Sequence, residues 1–110
     1  MIASYDQALE IKPDDPDAWY NRGIALRNLG RIEEAITSFD NALKIKPDKH
    51  QAWYYKARVY ALQENIPLAI TNLQQTINLD SKYLEIAKTD INFDKIRNMP
   101  SFQALITEKS

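Results

Sequence analysis

PDAWYNRGIALRNLGRIEEAITSFDNALKIKPDK, residues 16–49, decides how the whole chain is read. Asp14, Asp15 and Asp17 crowd its start, where free backbone amides and the helix dipole favour carboxylates. Trp19, Gly23, Leu26 and Leu29 then recur at the spacing of one α-helical face. Gly30 interrupts the pattern, and a left-handed backbone is expected there because glycine carries no Cβ. A second helical pattern follows, with Ile32, Ala35, Ile36, Phe39, Ala42 and Leu43 on one side and Glu33, Glu34, Asp40 and Lys44 on the other. Pro47 ends it, since proline cannot extend the hydrogen-bond ladder. The stretch is a helix–turn–helix hairpin.

The hairpin is repeated. Thirty-four residues beyond Ala18, Trp19 and Tyr20 stand Ala52, Trp53 and Tyr54, and Ala35, Ile36 and Thr37 return as Ala69, Ile70 and Thr71. In the other direction Phe39, Ala42, Leu43 and Pro47 answer to Tyr5, Ala8, Leu9 and Pro13. Trp19, Gly23, Leu26, Ala35, Phe39, Ala42 and Pro47, at this period, resemble the signature of the tetratricopeptide repeat, a two-helix unit of about 34 residues. The second copy carries Trp53, Ala57, Tyr60, Ala69, Leu73 and Thr76, with Ser81 in the place of the proline. The resemblance implies an all-α fold, a right-handed superhelical stack of antiparallel helix hairpins. Residues 1–15 would be the second half of a truncated repeat, 16–49 and 50–83 complete repeats, and 84–110 a C-terminal cap like those that end bacterial arrays. The whole chain reads as one domain.

Packing follows from the small residues. Gly23 and Ala35 are expected where the two helices approach most closely, at a shallow crossing of roughly 20°. Trp19 supplies bulk between layers. In the second copy Gln63, Glu64 and Asn65 form the turn, and Asn65 is the residue expected to take the left-handed conformation. Pro67 falls in the first turn of the following helix, where a missing N–H is harmless. Residues 1–11 begin in the middle of a helical pattern, which reads either as a fragment of a longer array or as a helix relying on another chain, with Ile2, Tyr5 and Leu9 short of neighbours; fraying of the first turn is the alternative. At the other end a helix is expected from about Ser81 to Thr89, a short turn started by Asp90 and Asn92 carries Phe93 and Ile96, and Pro100 opens a last helix carrying Phe102, Leu105 and Ile106.

Composition limits the function. Fourteen basic and fifteen acidic residues are mixed along the chain for a formal net charge of −1, so no basic stripe offers a footprint for nucleic acid. There is no cysteine, no apolar run long enough for a membrane span and no signal-peptide pattern, which together suggest a cytoplasmic protein. With two glycines there is no phosphate-binding loop, and the single histidine, His50, has no companion for a metal; it reads as an exposed residue at a helix start. Asp14–Asp15 and Glu33–Glu34 are caps and solvated faces, not acid–base pairs. No cofactor and no enzyme activity are expected.

Function then falls to a surface. In tetratricopeptide repeats the first helices line a concave groove, and the resemblance places Asp17, Tyr20, Asn21, Ile24, Arg27 and Asn28 there from the first complete repeat. From the second come Gln51, Tyr54, Tyr55, Arg58, Ala61 and Leu62, with Lys88 able to join. Tyrosines, arginines and amides suit a peptide or helix of a partner protein, with Tyr55 and Arg58 favoured as contacts; Tyr20 and Tyr54 could equally cover neighbouring helices. The family's carboxylate clamp is absent: Asn21 matches one of its positions, but Gln51 and Tyr55 stand where basic residues are needed. A protein-interaction module is the first reading. Self-association into a homo-oligomer through the half repeat at residues 1–11 is the second.

Overall fold

A computed structural model describes residues 2–107, and every regular element in it is a helix. In order these are α1 (Ile2–Ile11), α2 (Pro16–Asn28), α3 (Ile32–Ile45), α4 (His50–Leu62), α5 (Ile66–Leu79), α6 (Tyr83–Thr89), a 3₁₀ helix (Ile91–Ile96) and α7 (Pro100–Thr107). The 34-residue period holds at the level of the backbone. Helix α4 starts and ends 34 residues after α2, and α5 does the same after α3. Among the described residues no helix is long and apolar enough to cross a membrane. Two compact units divide the chain, residues 1–55 and 56–110, with the boundary inside α4.

In the first unit α2 packs against both α3 and α1. Its start is fixed by Asp15, whose Oδ1 accepts from the amides of Asp17 (3.0 Å) and Ala18 (3.3 Å), with Pro16 in the first turn. Gly30 takes the expected left-handed backbone, φ 80°, and lets the chain reverse into α3. Leu26, Ala35, Phe39, Leu43 and Ala52 form the core, and Ile2, Tyr20, Ile24, Trp53 and Tyr55 pack around it. Helix α1 contributes Leu9, which is buried, and Ile2, while Tyr5 is only partly covered. Trp19 donates its indole N–H to the Pro13 carbonyl at 2.9 Å, and Trp53 donates to the Pro47 carbonyl at 2.8 Å. Donors and acceptors are both 34 residues apart, so each tryptophan pins the same kind of interhelical turn.

Gly23 has a more specific partner than the sequence suggests. A Cβ placed on it would lie 2.6 Å from the Phe39 ring, closer than two carbons can approach. The ring, fully buried, fills the space where a side chain of α2 would stand. In the second copy the same two positions hold Ala57 and Leu73, both fully buried. One methyl more on the first helix goes with a smaller side chain on the second, so the summed volume is kept.

The second unit holds the end of α4, then α5, α6, the 3₁₀ helix and α7. Pro67 lies in the first turn of α5, and the Asn65 side chain caps that helix by accepting from the Leu68 amide at 3.4 Å. Asn65 is therefore not the left-handed residue of this turn. Glu64 is, with φ 59°. The reason is register: Glu64 stands 34 residues after Gly30, and the cap position one step later requires an ordinary backbone and a side-chain acceptor, which asparagine supplies. Helix α6 begins at Tyr83, two residues later than expected, because Ser81 and Lys82 are used in a turn where the Asp80 side chain accepts from the Lys82 amide at 3.2 Å. The remaining end follows the reading. Phe93, Ile96, Phe102, Leu105 and Ile106 are all buried, Phe93 and Phe102 lie 5.5 Å apart, and α7 packs against α5 and α6. Arg97 fastens the end of α6 by donating to the carbonyls of Ala87 (3.2 Å), Lys88 and Asp90 (2.6 Å).

Two stability predictions follow from these turns and contacts. Gly23→Ala should cost about 1–3 kcal/mol in urea unfolding, and adding Phe39→Leu should return most of that loss, because the pair then matches the second repeat. Glu64→Gly should raise stability by about 0.5–1 kcal/mol, the relief of a left-handed backbone less the added freedom of the unfolded chain.

Candidate functional site

The expected groove residues of α2 and the start of α4 lie in the first unit, which also holds a small aromatic cluster. Tyr20 meets Tyr55 edge-on at 5.7 Å, and Tyr55 stacks on Phe39 at 5.7 Å, so one buried ring supports two half-exposed ones. Each tyrosine carries a cation: Lys49 Nζ lies 4.7 Å from the Tyr20 ring, and the Arg27 guanidinium 5.6 Å from the Tyr55 ring. Asp17, Asn21, Ile24 and Asn28 follow one another at three- and four-residue steps, as do Tyr20, Ile24 and Arg27, the spacing of one face of α2. Asp17, Asn21 and Asn28 are exposed, while Ile24, Arg27 and Gln51 are half-buried.

Lys49 is a member that the sequence did not suggest. It precedes α4, a helix start where a cation is unfavourable unless it is paired. The pairing is with Asp17, Nζ to Oδ1 at 2.8 Å. The pair is lopsided: 9% of the lysine side chain is exposed against 75% of the aspartate. The lysine stem therefore packs while its ammonium reaches out to a solvated carboxylate. The hydrogen bond and the charge of Lys49 hold the Asp17 carboxyl below its usual value of 3.8. A charge opposed to the helix dipole was the available signal in the sequence, but it does not name the partner.

The other expected residues are placed differently. Tyr54 is buried, with 5% of its surface exposed, although its counterpart Tyr20 is half-exposed. Ala61 is fully buried, Leu62 is exposed, and Lys88 donates to Glu85 at 2.9 Å. Arg58, in the second unit, is held by Asp90, Nε to Oδ2 at 3.0 Å. Only 6% of the Asp90 side chain is exposed, and its carboxylate also accepts from the Asn92 amide (2.9 Å) and side chain (2.8 Å). Truncating Arg58 would leave a buried carboxylate without its cation, so its loss disturbs the fold as well as any contact. Among the described residues no group of three or more histidine, cysteine or carboxylate side chains comes together to hold a metal.

A comparison of the sequence with known families matches residues 16–49 to the tetratricopeptide repeat. The chain carries a tetratricopeptide repeat. Such repeats are in general protein–protein interaction modules, a scaffold type and not a catalytic one. A stretch of 31 residues is also 52% identical to an uncharacterized protein of Methanocaldococcus jannaschii, covering 28% of this chain and 36% of the relative. The match thus spans about a third of that relative's length. Within the repeat, the interior positions Gly23, Ala35, Phe39 and Ala42 hold the hairpin together, which leaves α2's outer face to differ.

The Asp17–Lys49 pair sets a pH dependence. Because folding lowers the Asp17 value, the pair stabilises the protein above about pH 4 and its contribution is lost as pH falls through the folded value. Asp17→Asn should be less stable than the wild type by at most about 1 kcal/mol at pH 7, since the carboxylate is well solvated. Urea unfolding repeated near pH 2 should show that difference gone.

Proposed function

We propose that the chain is a non-catalytic scaffold that binds a peptide or helix of a partner protein along the outer face of α2 and the adjoining start of α4. The observation that carries this reading is the Tyr20–Tyr55 pair: two half-exposed rings, fixed from below by Phe39 and flanked by Lys49 and Arg27. Rings held in place lose little freedom on binding, and tyrosine and arginine supply much of the energy at protein interfaces. Asn21 and Asn28 on α2, both exposed, and Gln51, one helical turn before Tyr55, offer amides able to donate to and accept from a partner's backbone. Ile24 adds apolar area between them. Arg58 and Leu62, in the second unit, are offered as contacts on their own. There a carboxylate from the partner would have to compete with Asp90 for Arg58. Tyr54, being buried, is not among the proposed contacts.

The test is selection of peptides from a displayed library on the full chain, followed by affinity measurement on variants. Asn21→Arg together with Asn28→Arg alters two exposed positions of the face and should weaken the selected peptides at least tenfold with the helical content unchanged. Lys44→Glu on α3, exposed and outside this face, should leave affinity as it was. Failure to enrich any peptide, or affinities that ignore the asparagine pair, would overturn the proposal.

A further inference from the structure

The tyrosine face already has a carboxylate seated on it. Asp17 Oδ1 lies 2.8 Å from Lys49 Nζ, and the same ammonium stands 4.7 Å from the centre of the Tyr20 ring. The two partners are not equally free to move. The lysine stem is packed, whereas the aspartate side chain is largely in water. Lys46 and Lys12 add their charge to that of Lys49 in favouring an anion at this place. The repeat itself does not require the pair. One period away, Asp15 and Tyr83 stand where Lys49 stands, and Gln51 stands where Asp17 stands.

We infer, resting on the reading of this face as a partner-binding surface, that Asp17 is an internal occupant of a carboxylate site, and that the partner seats an aspartate or glutamate side chain on Lys49 in its stead. A segment lying across Tyr20 can meet the pair in two ways. Covering it takes water from a carboxylate that is now well hydrated, and the attraction inside a shut-off ion pair offsets that loss poorly. Displacing Asp17 returns it to water at small cost, because a pair with one hydrated end contributes little. The packed ammonium then needs another anion. A carboxylate side chain of the partner supplies it in the geometry the structure displays, one oxygen at hydrogen-bond distance from Nζ beside the Tyr20 ring. An uncharged segment does neither. Asp17 thus sets the specificity of the face, since a group of its own kind must replace it. Lys49 lies outside the family's clamp positions, where Asn21, Gln51 and Tyr55 stand here.

The probes are peptides selected on the full chain from a displayed library, then synthesised with both ends blocked so that no terminal carboxylate is available. Each should carry an aspartate or glutamate whose change to the amide weakens binding about tenfold. Asp17→Asn, at an exposed position of the chain, should tighten the acidic peptide by about threefold, because its competitor is gone. Lys49→Met keeps the packed stem and should bring the acidic peptide down to the affinity of its amide version; Asp17→Asn tests the exchange even where the lysine variant does not fold. Peptides that depend on Asn21 and Asn28 but tolerate the amide change, or whose affinity Asp17→Asn leaves the same or lowers, would overturn the inference while the proposed face stands. Peptides that show the exchange at Lys49 but ignore the asparagine pair would overturn the face as drawn and keep the carboxylate site. No enrichment at all would overturn both.

Discussion

The first hairpin depends on a missing methyl group. With no side chain on Gly23, α2 comes down onto the Phe39 ring, and that ring in turn supports Tyr55 and Tyr20 above it. A single close approach therefore links the interior of the unit to the rings on its surface. Phe39 contributes on the order of 2–3 kcal/mol by leaving water, but its position matters as much as its area. Any shift of that ring moves the floor on which the two tyrosines rest. Stability and the geometry of the proposed binding face are then one property, read at two depths.

Repetition does not require identical residues, only conserved volume and conserved turns. Gly23 with Phe39 and Ala57 with Leu73 divide similar space in different proportions. Gly30 and Glu64 share a left-handed backbone although one is suited to it and the other is not. The glutamate persists because its neighbours fix the chain reversal: the Glu64 amide donates to the Ala61 carbonyl and the Asn65 amide to that of Tyr60. The tryptophans act at the other end of each hairpin, tying the indole to a proline carbonyl six residues back. Such a bond survives changes elsewhere because it uses the backbone of the turn, not a second side chain.

Most of the fold was legible because helical periodicity, caps and the 34-residue step are local signals. Asp15, Gly30, Pro67 and Pro100 announce helix boundaries through their own chemistry, and the structure places those boundaries accordingly. Asn65 and Glu64 show the limit. Propensity favours asparagine for a left-handed backbone, yet register gives that place to its neighbour and uses the asparagine as a cap. The candidate surface was less legible. Spacing puts Tyr20 and Tyr54 at the same point of the repeat, but burial separates them, since what covers a side chain depends on packing between elements distant in sequence. Lys49 with Asp17 and Arg58 with Asp90 are both pairs of residues 32 positions apart, and nothing local in either partner names the other.

Most of the proposed recognition face differs between the two copies, and Tyr20 alone of it returns, as Tyr54. Asp17, Asn21, Ile24, Arg27 and Asn28 of α2 are answered on α4 by Gln51, Tyr55, Arg58, Ala61 and Leu62, with no position retained. Packing does not impose this divergence, because the interior positions of the same helices keep small or bulky character in step. Asp17, Asn21 and Asn28 are exposed and polar, whereas Ile24 and Tyr55 pack against the core and Ala61 is fully buried. The face also holds two rings, each under a cation and both resting on a buried third. Tyr20 and Tyr55 bury much of their surface against the core around Phe39, so folding already fixes them and leaves only their outer edges uncovered. On the proposed reading a partner meets rings already in place, and their ordering need not be done on binding.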